Sequence, residues 1–340
     1  MHRKLFTSRR SAVLSVCALS SVLLLGGCGS NSDSGSSGSS ASPAASPSAS
    51  SASSATASPS ASVESREYTH LMGTITLEGK PERIVAPYLE DALVTLGITP
   101  AAKWAYGDLV QEYLEPYIKD VPKLDFTDGL NKEALVGTDP DLIVLYTPDL
   151  AAEGAYDQFS QIAPTYVFQD ATVSWKDTLN VIGDMTGTSD KADAAIAEYD
   201  SKVADAKEKL QPYVEGKTFA VIRAKPKEIQ LMDGTYYSGP VLYADLGLTP
   251  HKLVKEWSWD YAQALSLEKL PELDADYLFI LVQGEQSRPL LEEFQSSALW
   301  QSLPAVKAGH AYEMPSNYWM ASGAIANSLK IDDVVRTLVP

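Results

Sequence analysis

At 340 residues, with 45% hydrophobic and 9% aromatic residues, the chain has globular composition and room for two cores. A net charge of −17 excludes nucleic acid as a partner and argues against adhesion to anionic lipid head groups. The two cysteines, Cys17 and Cys28, both lie near the N-terminus, so the rest of the chain must be held by its core, without a disulfide or a thiolate metal site.

The N-terminus reads as a targeting segment. His2, Arg3, Lys4, Arg9 and Arg10 form a basic head before an apolar stretch, residues 11–25, too short to span a bilayer as a mature helix. Leu25-Gly26-Gly27-Cys28 resembles the lipobox of bacterial lipoproteins, in which the cysteine is acylated and becomes the first mature residue. Residues 1–27 are therefore expected to be a signal peptide and Cys28 the lipidation site. Their removal takes away Arg3, Lys4, Arg9 and Arg10 and no acid, so the charge goes from −17 to −21. Residues 28–65 are Ser, Ala, Pro and Gly with hardly a large apolar side chain, and are expected to form a disordered tether. A coil of some 35 residues reaches on the order of 30 Å.

From residue 66 strands and helices alternate. Residues 68–77 predict strands broken at Gly73, and residues 83–86 a strand ending at Pro87-Tyr88. Residues 90–96 form a helix closed by Gly97, and residues 100–105 a strand that exits through Lys103, Trp104 and Tyr106. Residues 131–141 then read as a short helix and an Asp-x-Asp turn before the apolar run 142–146. The pattern returns at residues 266–276, ahead of a second apolar run. Glu133 meets Glu268, Asp139 meets Asp274 and Asp141 meets Asp276, an offset of 135 residues (268 − 133). That is the size of one α/β domain, and it predicts two similar lobes.

Between the copies, residues 190–210 place Ala192, Ala195, Ile196, Tyr199, Val203, Ala206 and Leu210 on one helical stripe, with Thr188 or Ser189 as cap and Pro212 as stop. Rich in Ala, Glu and Lys and without Gly, this helix should be stiff, and its position suits a bridge between lobes. The second lobe predicts strands at 218–223, 228–232, 277–281 and 310–314, and helices at 241–246, 290–294 and 323–339. The expected organisation is a first lobe over 66–188, a bridging helix over 189–212 and a second lobe over 213–340, each lobe an α/β unit with a mostly parallel sheet.

Several stretches together resemble one family: residues 131–141 with their strand, Ile162-Ala163-Pro164-Thr165, Tyr237-Ser238-Gly239-Pro240, Asp245-Leu246-Gly247-Leu248, residues 266–270, Leu299-Trp300, and Trp319 before Gly323. In this order they look like the substrate-binding lipoproteins of bacterial ABC importers for iron(III)-siderophores, cobalamin and haem. The resemblance spans about residues 66–339. It implies two Rossmann-like lobes joined by one long rigid α-helix, with the ligand in the cleft between them. It further implies no enzymatic activity and no covalent cofactor, a ferric siderophore as transported ligand, and an ABC permease dimer with its ATPase as partner. The protein would then lie on the extracytoplasmic face of the cell membrane, held by its lipid. A glutamate of each lobe, here Glu133 and Glu268, would dock onto arginines of the permease.

Ligands of open α/β sheets sit outside the carboxyl ends of the strands. Those exits supply Tyr88, Lys103, Trp104, Tyr106 and Tyr146 from the first lobe, and Arg223, Lys225, Tyr236, Tyr237 and Arg288 from the second. Arg223 and Lys225 share a strand parity, so both point the same way, and an Arg fork suits carboxylate or catecholate oxygens. The family carries a basic residue at the strand end of Arg223 and a cleft tryptophan at the position of Trp319; Trp257 and Trp259 offer further rings for a bulky chelate. The basic groups favour an anionic carboxylate or catecholate siderophore, whereas the aromatics would serve a hydroxamate equally well. A binder of haem, cobalamin or a metal ion in the same fold remains the alternative. A secreted hydrolase is disfavoured, since neither Gly-x-Ser-x-Gly nor His-Glu-x-x-His occurs.

Overall fold

The computed structural model describes residues 65–256 and 262–340, so Cys28, Trp257 and Trp259 lie outside the described residues. The first lobe carries β1 Ser65–His70, β2 Gly73–Glu78, β3 Ile84–Val85, β4 Lys103–Tyr106, β5 Leu109–Val110, β6 Lys123–Asp125, β7 Leu142–Leu145 and β8 Thr165–Val167. β1 and β2 form an antiparallel hairpin with Tyr68 opposite Ile75. β3, β7 and β8 make a parallel sheet with β7 in the middle, and β4 pairs with β6 in parallel and with β5 antiparallel. All four residues of β7 are fully buried, which is why its sequence is continuously apolar rather than alternating.

The second lobe holds β9 Thr218–Lys225, β10 Glu228–Met232, β11 Thr249–Pro250, β12 Ala262–Ala264, β13 Tyr277–Val282 and β14 Ala311–Met314. They run in the order β12-β10-β9-β13-β14, with β11 also on β9; β9, β13 and β14 are parallel and the β10 edge is antiparallel.

The repeat has a physical cause. Asp141, just before β7, accepts hydrogen bonds from the backbone N–H groups of Glu82 (2.8 Å) and Arg83 (2.9 Å) at the entry to the neighbouring β3. Asp276, just before β13, accepts from the N–H of Thr218 (2.9 Å) at the entry to the neighbouring β9. In each lobe the same aspartate fixes the start of a parallel pair and so sets its register. The copies differ upstream: the first has the helix Lys132–Gly137, capped by Asn131, whose Oδ1 accepts from Ala134 N at 2.9 Å. The second has only a 3₁₀ turn at Leu270–Glu272, where a helix was expected, because Pro271 removes a donor needed for an α-helical turn.

The long helix runs Ser189–Val214, 26 residues, and buries Ala192, Tyr199, Ala206 and Leu210; Ala195, Ile196 and Val203 pack against the same core. It passes through Pro212, expected to stop it, because Pro212 falls in its last turn, where only one hydrogen bond is lost. The Thr188 side chain makes no capping bond. Tyr199 donates to Asp245 Oδ2 at 2.6 Å and Lys202 pairs with Asp332 at 2.6 Å, tying the helix to the second lobe. Lys191 donates to the carbonyl of Leu96 at 2.8 Å, tying it to the first.

Three hydrophobic clusters hold the molecule. One belongs to the outer face of each sheet system: Val85, Leu124, Ile143 and Phe159 in the first lobe, Ile222, Leu278, Phe294 and Trp300 in the second. The third is continuous from Leu93 and Leu142 through Tyr199 of the long helix to Phe219, Phe279 and Trp319. A shared core of this kind makes the two lobes one stiff body.

Candidate functional site

A cleft of about 520 Å³ lies between the lobes, at the carboxyl ends of β13 and β14 and beside β4 and β5. The first lobe lines it with Tyr88, Trp104, Leu109, Gln111 and Glu112, and the second with Gln283, Glu285, Arg288, Glu313, Asn317 and Met320.

Its first wall is aromatic. Tyr88 meets Trp104 edge-on with ring centroids 5.2 Å apart and meets Tyr146 at 5.4 Å. The Tyr88 hydroxyl donates to the Met320 carbonyl at 2.8 Å, across to the second lobe. Tyr88 (φ 67) and Tyr237 (φ 54) both hold the left-handed backbone region, one in each lobe, a cost of about 1–3 kcal/mol that only surrounding structure can sustain. They lie near each other: burial raises the pKa values of Tyr88 and Tyr146, and the proximity of Tyr237 raises both further.

Arg223 is only 3% exposed and does not itself line the cleft; its Nη1 lies 3.8 Å from the sulfur of Met320, which does. Gln230, its partner across the β9–β10 hairpin, accepts from Arg223 Nε at 3.0 Å and from Nη2, and in turn donates to Glu228 at 2.7 Å. Glu228 also pairs with Lys225 at 3.3 Å, so Arg223 and Lys225 share one face, as their parity predicts. Arg288, at the rim, is gripped by Glu313 (2.8 Å) and Glu285 (3.2 Å), which hold its guanidinium firmly charged; Arg288 in return holds the Glu313 carboxyl below its usual range.

Of the expected site residues, Tyr88, Trp104 and Arg288 line the cleft, Tyr106, Tyr146, Arg223, Lys225, Tyr236 and Tyr237 do not, and Lys103 and Trp319 are placed elsewhere. Lys103 points into the first lobe, where its ammonium binds Glu115 at 2.7 Å and the carbonyls of Ile118 and Lys119, each at 3.1 Å. All three of its protons are used, so it is a structural cation. Trp319 is fully buried against Phe279, with its indole N–H donating to Asp333 at 2.9 Å; it is a core ring, not a cleft ring. Tyr106 is 49% exposed at the end of β4 and does not line the cleft, while Tyr236 and Tyr237 are partly buried in the turn that leads to Pro240.

Sequence reasoning missed the charges beneath the walls. Glu90 is 1% exposed; its Oε1 accepts from Trp104 N at 2.5 Å, its Oε2 has no partner among the described residues, and burial pushes its pKa up to about 8. Asp91, fully buried, accepts from the N–H groups of Ile325 (3.1 Å) and Ala326 (2.9 Å), capping from the first lobe the terminal helix Ala324–Leu338 of the second. Only glycine fits at 323, since a Cβ there would collide with the Asp91 carboxylate and φ is +150. Lys330, also fully buried, donates to the carbonyls of Ala321 (2.6 Å) and Tyr237 (3.1 Å) and to Asn327 Oδ1 (2.8 Å). Burial pulls its pKa down to about 7, against the attraction of Asp91 and Asp245.

The comparisons with known proteins agree with this architecture. Residues 89–318 match the family model for periplasmic binding proteins. The probable siderophore-binding lipoprotein YfiY of Bacillus subtilis is 32% identical over 81% of this chain and 88% of its own length. The iron(3+)-hydroxamate-binding protein FhuD of the same organism is 31% identical over 75% of this chain and 80% of its own. Among solved structures, Staphylococcus aureus SirA, complexed with staphyloferrin B, superposes with a TM-score of 0.71 at 27% identity, over 80% of this chain and 98% of that one. With more than half its length matched by the family model and its two lobes closing on a cleft, the chain belongs to the periplasmic binding protein family.

Proposed function

We propose that this protein captures a ferric siderophore in the cleft between its lobes and delivers it to an ABC permease on the extracytoplasmic face of the membrane. The observation that carries this reading is the cleft itself: about 520 Å³, with one aromatic wall and one wall of hydrogen-bonding groups, suits a compact chelate with both apolar and polar surface. Relatives whose names describe siderophore and iron-hydroxamate binding support the cargo class. Tyr88, Trp104 and Tyr146 would pack on the chelate, and Arg223, through its charge, would stabilise iron-bound oxygens. Acylated Cys28, followed by the tether, would anchor the domain.

Glu133 and Glu268 would dock on the permease. Both are exposed. Helix-dipole stabilisation accounts for Glu133, in the first turn of a capped helix, but not for Glu268, which precedes no α-helix and is held ionised by Ser266. A shared docking role explains the pair where helix capping explains one member. The test is uptake of radiolabelled iron chelate by cells expressing wild type or the double variant Glu133→Ala/Glu268→Ala. The expected result is unchanged chelate affinity of the purified protein with severely impaired uptake; normal uptake at equal expression would overturn the docking role, and absence of any chelate binding would overturn the cargo.

A further inference from the structure

The charge of the cleft is the reverse of what its basic candidates suggest. Three carboxylates line it, Glu112, Glu285 and Glu313, against one guanidinium, Arg288, which two of them already neutralise. Counting Arg223, which lies behind Met320, still leaves an acidic surround. In so confined a space, like charges cost more than in water, because fewer solvent dipoles screen them. Iron(III) held by three dianionic catecholates carries three negative charges, and iron(III) citrate complexes are anionic as well. Iron(III) held by three monoanionic hydroxamates is neutral.

Two side-chain carbonyls supply the second observation. Gln111, 6% exposed, and Gln283 line the cleft from opposite lobes, and the Oε1 of each is buried without a hydrogen-bond partner among the described residues. The orientation of Gln111 is set by its neighbours. Gln111 donates its Nε2–H to the Tyr113 oxygen at 3.4 Å. Oε1 therefore faces away from Tyr113 as an acceptor. A buried acceptor left unpaired is costly, and a site built with one on each wall discriminates for a ligand that brings donors. Iron-bound oxygens are acceptors and cannot satisfy these carbonyls; amide N–H or ammonium groups can.

Resting on the ferric-siderophore reading above, we infer that the cleft selects a neutral or cationic ferric trihydroxamate bearing amide N–H groups, with Gln111 and Gln283 as the specificity-determining residues that accept from those groups. The aromatic wall of Tyr88 and Trp104 then covers the apolar links of the chelate.

Intrinsic-fluorescence titration of the mature chain with three probes tests this: ferrioxamine B, with secondary amides and a terminal ammonium; iron(III) citrate, with no N–H; and an iron(III) tris-catecholate. The expected order places ferrioxamine B at least about tenfold ahead of the other two. Gln111→Met, which keeps length and removes the acceptor, should weaken ferrioxamine B about three- to tenfold and leave the melting temperature unchanged or higher. Gln283→Met should act in the same direction, and serves alone if the first variant does not fold. Tighter binding of citrate or catecholate, or an equal affinity of both variants and wild type for ferrioxamine B, overturns the inference while leaving the siderophore reading in place. Failure of all three probes to bind overturns the siderophore reading itself.

Discussion

The two walls of the cleft solve one problem with opposite charges. Beneath the first lie two buried acids, Glu90 and Asp91; beneath the second lie two buried bases, Arg223 and Lys330. These acids and bases are not paired directly with one another. Asp91 is held by backbone N–H groups at the start of the terminal helix, Lys330 by backbone carbonyls of the turns that carry Tyr237 and Ala321, and Arg223 by an amide side chain. Burying a charge is costly unless every lone pair or proton finds a partner, and backbone groups supply partners at fixed geometry. The difference between the walls is thus one of sign rather than of principle: each uses a desolvated charge to pin irregular backbone near the ligand, and both use the terminal helix as the anchor.

The largest effect is expected from removing that anchor. Asp91→Ala orphans two buried N–H groups, each worth about 1–3 kcal/mol, and should lower stability by about 2–6 kcal/mol in urea melts. Lys330→Met is the matching break on the other wall and should cost as much, since it strands three acceptors. If only one of the two destabilises, the walls are not equivalent and the comparison fails.

Glu90 comes next. Its folded-state pKa of about 8 lies above the ordinary 4.5, so the folded protein keeps a proton that the unfolded chain has released between those values. Stability is therefore full below about pH 4.5 and declines as pH rises towards 8. Glu90→Gln retains the oxygen that accepts from Trp104 and loses no proton, so it should be the more stable form by about 1–3 kcal/mol at pH 8.5, with the gap closing by pH 5. Thermal melts at the two pH values read this directly; a gap independent of pH would place the Glu90 pKa in the ordinary range.

Arg223→Ala should have the smallest effect on free energy and the clearest one on binding. A charge-assisted contact of about 1.5–3 kcal/mol predicts roughly tenfold weaker chelate binding or more. Unchanged affinity with an intact circular dichroism spectrum would make Arg223 a purely structural partner of Gln230.

How far the sequence alone carries depends on what each residue must satisfy. The repeat was legible because both its parts are local: an apolar run of strand length, and an aspartate that fixes the entry of the next strand. The long helix was legible because its seven stripe residues fall on one face. Trp319 was not, since a tryptophan in a cleft and one in a core look alike until its N–H partner, here Asp333, is known. Lys103 was read as a cleft cation because strand exits favour ligands, yet its fate was set by three acceptors 12 to 16 residues away. Asp91 and Lys330 are buried by long-range packing that the pattern of their own helices does not show. Gln111 and Gln283 carry no sequence signal at all, because a neutral amide becomes informative only when burial leaves it unpaired.

The central claim is that the chelate lies between the Tyr88–Trp104 wall and the Gln283–Arg288 wall. Diffraction at the iron absorption edge from crystals grown with a ferric trihydroxamate tests it most directly. The account predicts one anomalous peak inside the cleft, flanked by Tyr88 and Trp104 on one side and by Gln283 and Arg288 on the other. A peak elsewhere, as in the surface pocket beside Lys80 and Asp141, or none from a saturated complex, would contradict it.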